Sequence, residues 1–331
     1  MTPTRRPVAL LPALAAALLL AAGCEVEWGG ARMGLETPER ATPADTTGPA
    51  PEAEAELPPL PEGPLLHVVR VDPDGRATVL PAARMTPAGP AALDLPENPP
   101  ERWWNLFDDS LRAAGTELPL HATGRRAGTL ILGEAGEPVN AGCPAPGRGR
   151  ILLPPGAPVP GIAFAWAPVA GERPRPPEPT ARPASTRRLR VFGPILAERL
   201  LEEAGVGQSF LARRAAFEPV AFAGDTVPGM AATYLIGDTL APVAPRSDTA
   251  HSLFFLARYD ASEGYVPVWS RAATYRDTAD KVVFSHLDWI ATPEGRVDLL
   301  RRIDARGVRM AAVRTGGPEV PEEPGWIASG R

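Results

Sequence analysis

Short runs of apolar and β-branched residues, separated by turn sequences, constrain this chain more than any other feature. Leu65–Val71 and Arg76–Leu80 flank Asp72-Pro-Asp-Gly75, in which Pro at the second position and Gly at the fourth suit a type I turn with a bulge. Asp304-Ala-Arg-Gly307 repeats this pattern, and Asp260–Gly264 is a longer version of it. The sequence therefore predicts antiparallel β-hairpins.

Two helices are predicted among these strands. The first begins at Asn98 as N-cap, ends at Gly115 and carries one aromatic stripe: Trp103, Trp104, Phe107 and Leu111. The second is capped by Ser185 or Thr186, ends at Gly205 and has an apolar face: Leu189, Phe192, Leu196, Leu200 and Leu201. The predicted class is α+β, mostly antiparallel β-hairpins with two main helices in two subdomains.

Further strands are predicted throughout the chain. In the first half they are Leu118–His121, Thr129–Leu132, Ile151–Leu153 and Ile162–Trp166. In the second half they are Met230–Ile236, Leu253–Tyr259, Tyr265–Trp269, Val282–His286, Val297–Ile303 and Val308–Val313.

Composition divides the chain into six segments. Residues 25–62 are rich in Pro, Ala, Glu and Thr and cannot bury enough apolar surface to order themselves, and residues 172–185 form a second Pro-rich break. The predicted segments are a signal peptide (1–23), an acidic tether (24–62), a β-rich domain with one helix (63–171), a linker (172–185), a domain of one helix and antiparallel strands (186–317) and a loose tail (318–331).

The start of the chain has the layout of a secretory signal. Arg5 and Arg6 precede an apolar run from Val8 to Ala22, which at about fifteen residues is shorter than the roughly 20 that cross a bilayer as a helix. Leu20-Ala-Ala-Gly-Cys24 resembles the lipobox of bacterial lipoproteins, although Ala21 stands where Leu is commonest.

The resemblance to lipoproteins implies cleavage before Cys24 and acylation of its thiol. Several acyl chains make a stable anchor, since each buried CH₂ contributes about 0.8 kcal/mol. Glu25 follows, whereas Asp at that position usually retains lipoproteins in the inner membrane, so the resemblance implies an outer-membrane location in a host with two membranes. The open alternative is an ordinary signal peptide beside an unmodified cysteine.

Charge is distributed unevenly along the chain. Residues 25–62 carry nine acidic and two basic side chains, a net charge of −7, and Arg5 and Arg6 add +2, so a total of −5 leaves residues 63–331 neutral. Because nucleic-acid binding depends on neutralising phosphates, this balance argues against a nucleic-acid partner.

Two segments of the second half resemble each other. Phe217–Asp225 with Met230–Ile236 is similar to Phe284–Trp289 with Val297–Ile303, and both are similar to a degenerate FG-GAP or VCBS repeat. Complete repeats of that family bind Ca²⁺ through an Asp-rich loop, but Asp225 and Asp288 alone fall short of the six or more oxygen ligands that Ca²⁺ requires. We therefore expect no metal and no cofactor.

Three groups of residues could carry chemistry. His286 and Asp288 lie two apart on a predicted strand and would share a face, as a base with its orienting carboxylate or as a surface ion pair. His251 and Ser252 are adjacent and would face opposite ways. Trp103 and Trp104, next to Asp108 and Asp109, could bind a sugar, although helical spacing favours packing in the core.

Three functions follow from these observations. The first is a non-catalytic envelope lipoprotein that binds an envelope protein or polysaccharide or serves a structural role. The second is a secreted hydrolase of envelope polymers in which His286, Asp288 and His251 converge in one pocket. The third is a carbohydrate-binding module that exposes Trp103 and Trp104 on one face.

Overall fold

The computed structural model describes residues 56–96, 98–136, 144–169, 186–222, 225–305, 307–315 and 325–328. Within them the chain forms three antiparallel sheets and two α-helices. The predicted strand-rich, antiparallel body is confirmed, although helices contribute less than an α+β class implies. The signal segment, most of the tether and the Pro-rich linker lie outside the described residues.

The first sheet closes into a barrel. Its strands are β1 (Leu65–Val71), β2 (Arg76–Thr86), β3 (Gly89–Ala91), β4 (Glu117–Ala122), β5 (Arg125–Ala135), β6 (Gly147–Leu152) and β7 (Ile162–Ala165). The order is β1-β7-β4-β5-β6-β2, and β2 also pairs with β1, so these six strands close a ring. Strand β3 pairs only with the C-terminal end of β2. The turn predicted at Asp72–Gly75 joins β1 to β2, with Gly75 at φ +82°.

The barrel is filled by side chains. Its inner cluster is apolar and includes Val69, Val79, Leu120, Leu130, Leu132 and Ile151. Helix α1 (Glu101–Leu111) buries Trp103 and Phe107 in a further cluster with Leu65 of β1. The prediction of Asn98 as N-cap is wrong: α1 begins after Pro100 and has no side-chain cap.

The second half of the chain builds two four-stranded sheets. Sheet B has the order β11-β10-β9-β8 and sheet C the order β12-β13-β14-β15. The strands are β8 (Arg213–Val220), β9 (Gly229–Ile236), β10 (Ala250–Asp260), β11 (Gly264–Tyr275), β12 (Val282–Thr292), β13 (Gly295–Asp304), β14 (Gly307–Arg314) and β15 (Gly325–Ala328).

Within the segment predicted as a loose tail, residues 325–328 form a strand. This strand, β15, pairs antiparallel with β14. The tail sequence Gly325-Trp-Ile-Ala328 contains two residue types that favour strands, Trp and Ile.

Sheet B lies between helix α2 (Thr186–Glu203) and sheet C. Alternate residues of β9 face α2, where they pack with Leu189 and Leu196, while Ala231 lies on the opposite side with residues of sheet C. All eight residues of β9 are buried as a result. Phe192 was predicted on the buried face of α2, but 42% of it is exposed.

Sheet C packs on the barrel through an apolar contact. It brings Leu66, Met85, Phe164 and Trp166 of the barrel against Ile290, Val297, Leu299 and Met310. The turn between β4 and β5 approaches so closely that a Cβ placed on Gly124 would lie 1.8 Å from Cε2 of Trp289. The chain therefore stacks four layers in order: α2, sheet B, sheet C and the barrel.

Candidate functional site

A buried polar network joins sheet B to sheet C. His286 of β12 places Nε2 2.9 Å from Oδ1 of Asp298, and its Nδ1 contacts Oε1 of Glu218 on β8. The His286 side chain is 4% exposed and that of Glu218 43%. Both ring nitrogens of His286 therefore face carboxylate oxygens of the protein.

Asp298 is the centre of this network and is fully buried. Arg296 donates to it from Nε at 2.7 Å, and Thr315 donates from its hydroxyl. Burial by itself raises the pKa of Asp298, but hydrogen bonds from Arg296 and His286 outweigh burial and hold the pKa at about 2. The carboxylate therefore stays ionised and can accept hydrogen bonds from Arg296, Thr315 and His286.

Arg296 also lies between two aromatic rings. Its guanidinium carbon is 4.4 Å from the centroid of Phe222 and 4.4 Å from that of Trp289, and it donates to the carbonyl of Ala221. Phe222 and Ala221 follow β8 of sheet B, whereas Trp289 belongs to β12 of sheet C. The cation thus holds the two sheets together by stacking and by charge.

The predicted His286–Asp288 pair does not form. Strand β12 has a bulge between these residues, where His286 pairs with Leu300 but Asp288 pairs with Leu299. The extra residue, Leu287, reverses the alternation, so the two side chains point to opposite faces of sheet C. The prediction was wrong because residues two apart share a face only on an unbulged strand.

Asp288 instead binds the barrel. Both of its oxygens accept hydrogen bonds from the turn between β4 and β5, one from Thr123 N–H and one from Gly124 N–H, each at 2.8 Å. Thr123 and Gly124 both have positive φ, which turns their amides toward the carboxylate. Burial raises the pKa of Asp288 above its usual range despite these donors.

His251 lies apart from this network. It is the cross-strand partner of Ile236, whose side chain packs on the α2 side of sheet B, and its Nδ1 is 2.8 Å from the hydroxyl of Thr274. The Ser252 hydroxyl points the other way and donates to the carbonyl of Val282 at 2.6 Å. His251 and His286 therefore do not converge in one pocket.

The two predicted sugar-binding rings do not form an exposed face. Trp103 has no exposed surface, stacks against Phe107 and donates from Nε1 to the carbonyl of Pro58 at 2.8 Å. Trp104 is half-buried and meets both rings edge-on. Trp103 thus packs in the core as its helical spacing favoured, whereas a carbohydrate-binding module would need both tryptophans exposed on one face.

Lys281 is the one lysine of the sequence and holds a loop in place. Its ammonium lies 2.8 Å from Oδ2 of Asp238, and both side chains are completely buried. It also donates to three carbonyls of the loop after β9, those of Thr239, Ala241 and Val243, at 2.7–3.3 Å. Sequence analysis missed this role, although a lone lysine in an arginine-rich chain is a signal.

The network at Asp298 was also missed. Its signal was a charged residue inside the apolar run Val297–Leu300, since a carboxylate there must be hydrogen-bonded when the strand is buried. Cys24 and Cys143 lie outside the described residues. Within those residues, no group of three or more His, Cys, Asp or Glu side chains is placed to bind a metal ion.

The described helices include none that is both long and apolar enough to span a membrane. Comparison with protein families, with curated proteins and with solved structures finds no match to this chain.

Proposed function

We propose that this protein is a lipid-anchored component of a bacterial cell envelope whose folded part binds or supports another envelope component and carries out no reaction. The anchor is the lipid on Cys24, and the acidic segment that follows is the tether. Glu25 after the cysteine favours an outer-membrane location.

One observation carries the non-catalytic part of the proposal: the side chains with catalytic potential are used to hold layers together. His286, held by Asp298 within sheet C, links to Glu218 of sheet B, and Asp288 fastens sheet C to the barrel. A general base must reach a substrate proton, but the nitrogens of His286 both face carboxylates of the protein. These groups therefore serve the architecture.

Mass spectrometry of the mature N-terminus, purified from membranes of the native host, tests the anchor. We expect an acylated peptide that begins at Cys24. The matched variant Cys24→Ser should move the protein from the membrane to the soluble fraction. An unmodified N-terminus at another residue would contradict the proposal.

A panel of hydrolase substrates tests the absence of catalysis. The purified mature protein should show no turnover beyond that of a mock preparation. Turnover that is lost in His286→Gln and retained in Arg148→Gln, a change of an exposed barrel residue, would replace the proposal with a hydrolase.

A further inference from the structure

Helix α2 has a second apolar face that nothing in the described chain covers. Leu189, Leu196 and Leu200 pack on sheet B, but Val191 and Ile195, one turn apart on the outer side, are each 57% exposed. Phe192 adds a partly exposed ring that packs against Tyr265 at a centroid distance of 5.7 Å.

The segment after α2 also exposes apolar side chains. A short 3-10 helix, Ser209–Leu211, is fastened to the end of α2, because the Ser209 hydroxyl donates to Glu202 at 3.4 Å. Phe210, its central residue, is 74% exposed and is the most exposed large hydrophobic side chain described, and Leu211 beside it is 47% exposed.

Exposed arginines accompany both apolar segments. Three lie in the first turns of α2, where residues 186–197 contain no acidic residue, and one follows the 3-10 helix on the α2 side of sheet B, since it pairs with Tyr234: Arg187, Arg188, Arg190 and Arg214. Arg188 stacks on Tyr259 at 5.3 Å and Arg214 on Phe217 at 5.0 Å. Both rings pack against the α2 core cluster, so these two cations are fixed on the flanks of the helix.

The apolar residues Val191, Phe192, Ile195, Phe210 and Leu211 and the four arginines are together called the α2 face. We propose that the α2 face docks onto an anionic phospholipid surface. Exposed apolar side chains flanked by arginines match such a surface in both components, because acyl chains accept the former and lipid phosphates attract the latter.

The acidic tether is the other obvious occupant, since residues 25–62 carry a net charge of −7. Its charge would match the arginines, but it has few large apolar residues after Trp28 and cannot cover Phe210 or Ile195. A lipid surface satisfies both parts of the α2 face and is therefore the better partner.

The inference rests on the proposed function in one respect, that the lipid on Cys24 keeps the face within reach of a membrane. Residues 25–55 separate Cys24 from the first described residue. Because the lipid already holds the protein at the membrane, docking of the α2 face is an intramolecular step, and it can occur with only weak affinity of its own.

Vesicle sedimentation with the unlipidated mature protein, residues 24–331 carrying Cys24→Ser, tests the docking without the anchor. We expect binding to vesicles that contain phosphatidylglycerol, little binding to pure phosphatidylcholine, and weakening by salt. Replacing Arg187 or Arg190 by Gln should reduce the partition coefficient about fivefold each. Phe210→Ser or Ile195→Ser should reduce it about tenfold each.

Matched controls come from the barrel, whose β6 exposes an apolar and a charged residue of the same types. Leu152 is 46% exposed and Arg148 is exposed, so Leu152→Ser and Arg148→Gln should bind vesicles as the parent protein does. Unchanged thermal midpoints for all these variants would show that the fold is intact.

Three results would overturn the inference. One is vesicle binding by Phe210→Ser and Ile195→Ser equal to that of Leu152→Ser. Another is a concentration-dependent dimer that the same two variants abolish, which would make a second copy of the chain the occupant. The third is vesicle binding only after Glu52 and Glu54 are changed to Gln, which would make the tether the occupant.

The two proposals fail separately. An acylated Cys24 without vesicle binding by the unlipidated protein would retain the proposed function and overturn the docking. Charge-dependent vesicle binding with an unmodified N-terminus would retain the docking and overturn the anchor.

Discussion

The barrel and the pair of sheets B and C bury their polar groups in opposite ways. His67 of β1 pairs with Ala165, which faces the barrel interior, and its Nδ1 has no hydrogen-bond partner among the described residues. Burial lowers the pKa of His67 to about 3, and nearby Arg112 adds to the effect. The barrel thus buries a neutral imidazole, whereas the two sheets bury ionised groups such as Asp298 in pairs.

This difference in buried polar groups follows from whether the edge strands of each part are paired with another strand. In the barrel the ring of backbone hydrogen bonds is closed, so the backbone satisfies itself and apolar side chains fill the interior. Strand β12 is instead an edge of sheet C. Its carbonyls at Val282 and Phe284 accept hydrogen bonds from Ser252 and Thr233 of sheet B, at 2.6 and 2.8 Å. Polar side chains are buried where an edge requires them.

The largest effect should come from removing the most deeply buried charge pair. Lys281→Met leaves Asp238 without its cation and three loop carbonyls without their donor. Breaking one side of a buried pair costs about 3–5 kcal/mol, so the urea midpoint of unfolding should fall accordingly.

Two variants control this experiment. Arg276→Met removes an exposed cation and should change the free energy of unfolding by less than about 0.5 kcal/mol. Asp238→Asn added to Lys281→Met removes the uncompensated charge and should recover part of the loss. A double variant less stable than Lys281→Met would contradict the role of the pair.

The contact between barrel and sheet C should be the next most sensitive. Gly124→Ala places a Cβ against the ring of Trp289 and forces a side chain into the left-handed region at φ +71°. Gly156→Ala has a similar φ of +77° but open space around it. The left-handed region costs about 1–2 kcal/mol in both variants. Overpacking adds about 1–3 kcal/mol in Gly124→Ala alone.

Thermal or urea unfolding of the two glycine variants measures this difference. Equal losses of stability would mean that Trp289 moves aside without cost and that the barrel and sheet C are joined less tightly than the structure indicates.

The features that could be predicted from the sequence are those that depend on neighbouring residues in the chain. The turn at Asp72–Gly75 and strands β9 to β14 were found because their signals lie within a few adjacent residues, whereas β8 and β15 were not predicted. Closure of the barrel was not predicted, since it depends on β1 pairing with β7, about ninety residues later in the chain.

The sites were less predictable for a related reason. His286 and Asp288 were recognised as notable, but the bulge at Leu287 that separates them has no glycine or other local signal. Glu218, the partner of His286, is 68 residues away. Which residues meet across two packed sheets is decided by the tertiary fold, and one sequence does not show it.

Because the barrel buries a neutral histidine and the two sheets bury an ionised aspartate, the stability of each part should fall over a different range of acidic pH. The pKa of His67 is about 3 when folded and near 6.5 when unfolded, so below pH 6.5 the unfolded chain binds the proton first and stability falls. At pH 5 this loss amounts to about 2 kcal/mol. Asp298 loses its contribution only below pH 3.8, as the pH falls toward its folded pKa of about 2.

His67→Leu should therefore reduce the slope of stability against pH between 6.5 and 4, with little effect at pH 7.5, while His121 of β4, whose pKa burial lowers to about 4, keeps part of that slope. Urea unfolding over this range measures it. His251→Leu is the control, because burial lowers the pKa of this half-exposed histidine less and the slope should remain. An unchanged slope in His67→Leu would show that the barrel does not hold this imidazole neutral.

The smallest effect is expected at the rim of the network between sheets B and C. His286→Gln removes a ring that bridges Glu218 and Asp298, but Arg296 and Thr315 still hold Asp298. With those two donors still in place, losing the hydrogen bonds of His286 should lower the free energy of unfolding by about 1 kcal/mol. Urea unfolding of His286→Gln, Glu218→Gln and the double variant gives the coupling between the two residues. Because Glu218 is 43% exposed, we expect a coupling below about 1 kcal/mol. A loss as large as that of Lys281→Met would instead mean that the imidazole, and not Arg296, holds the two sheets together.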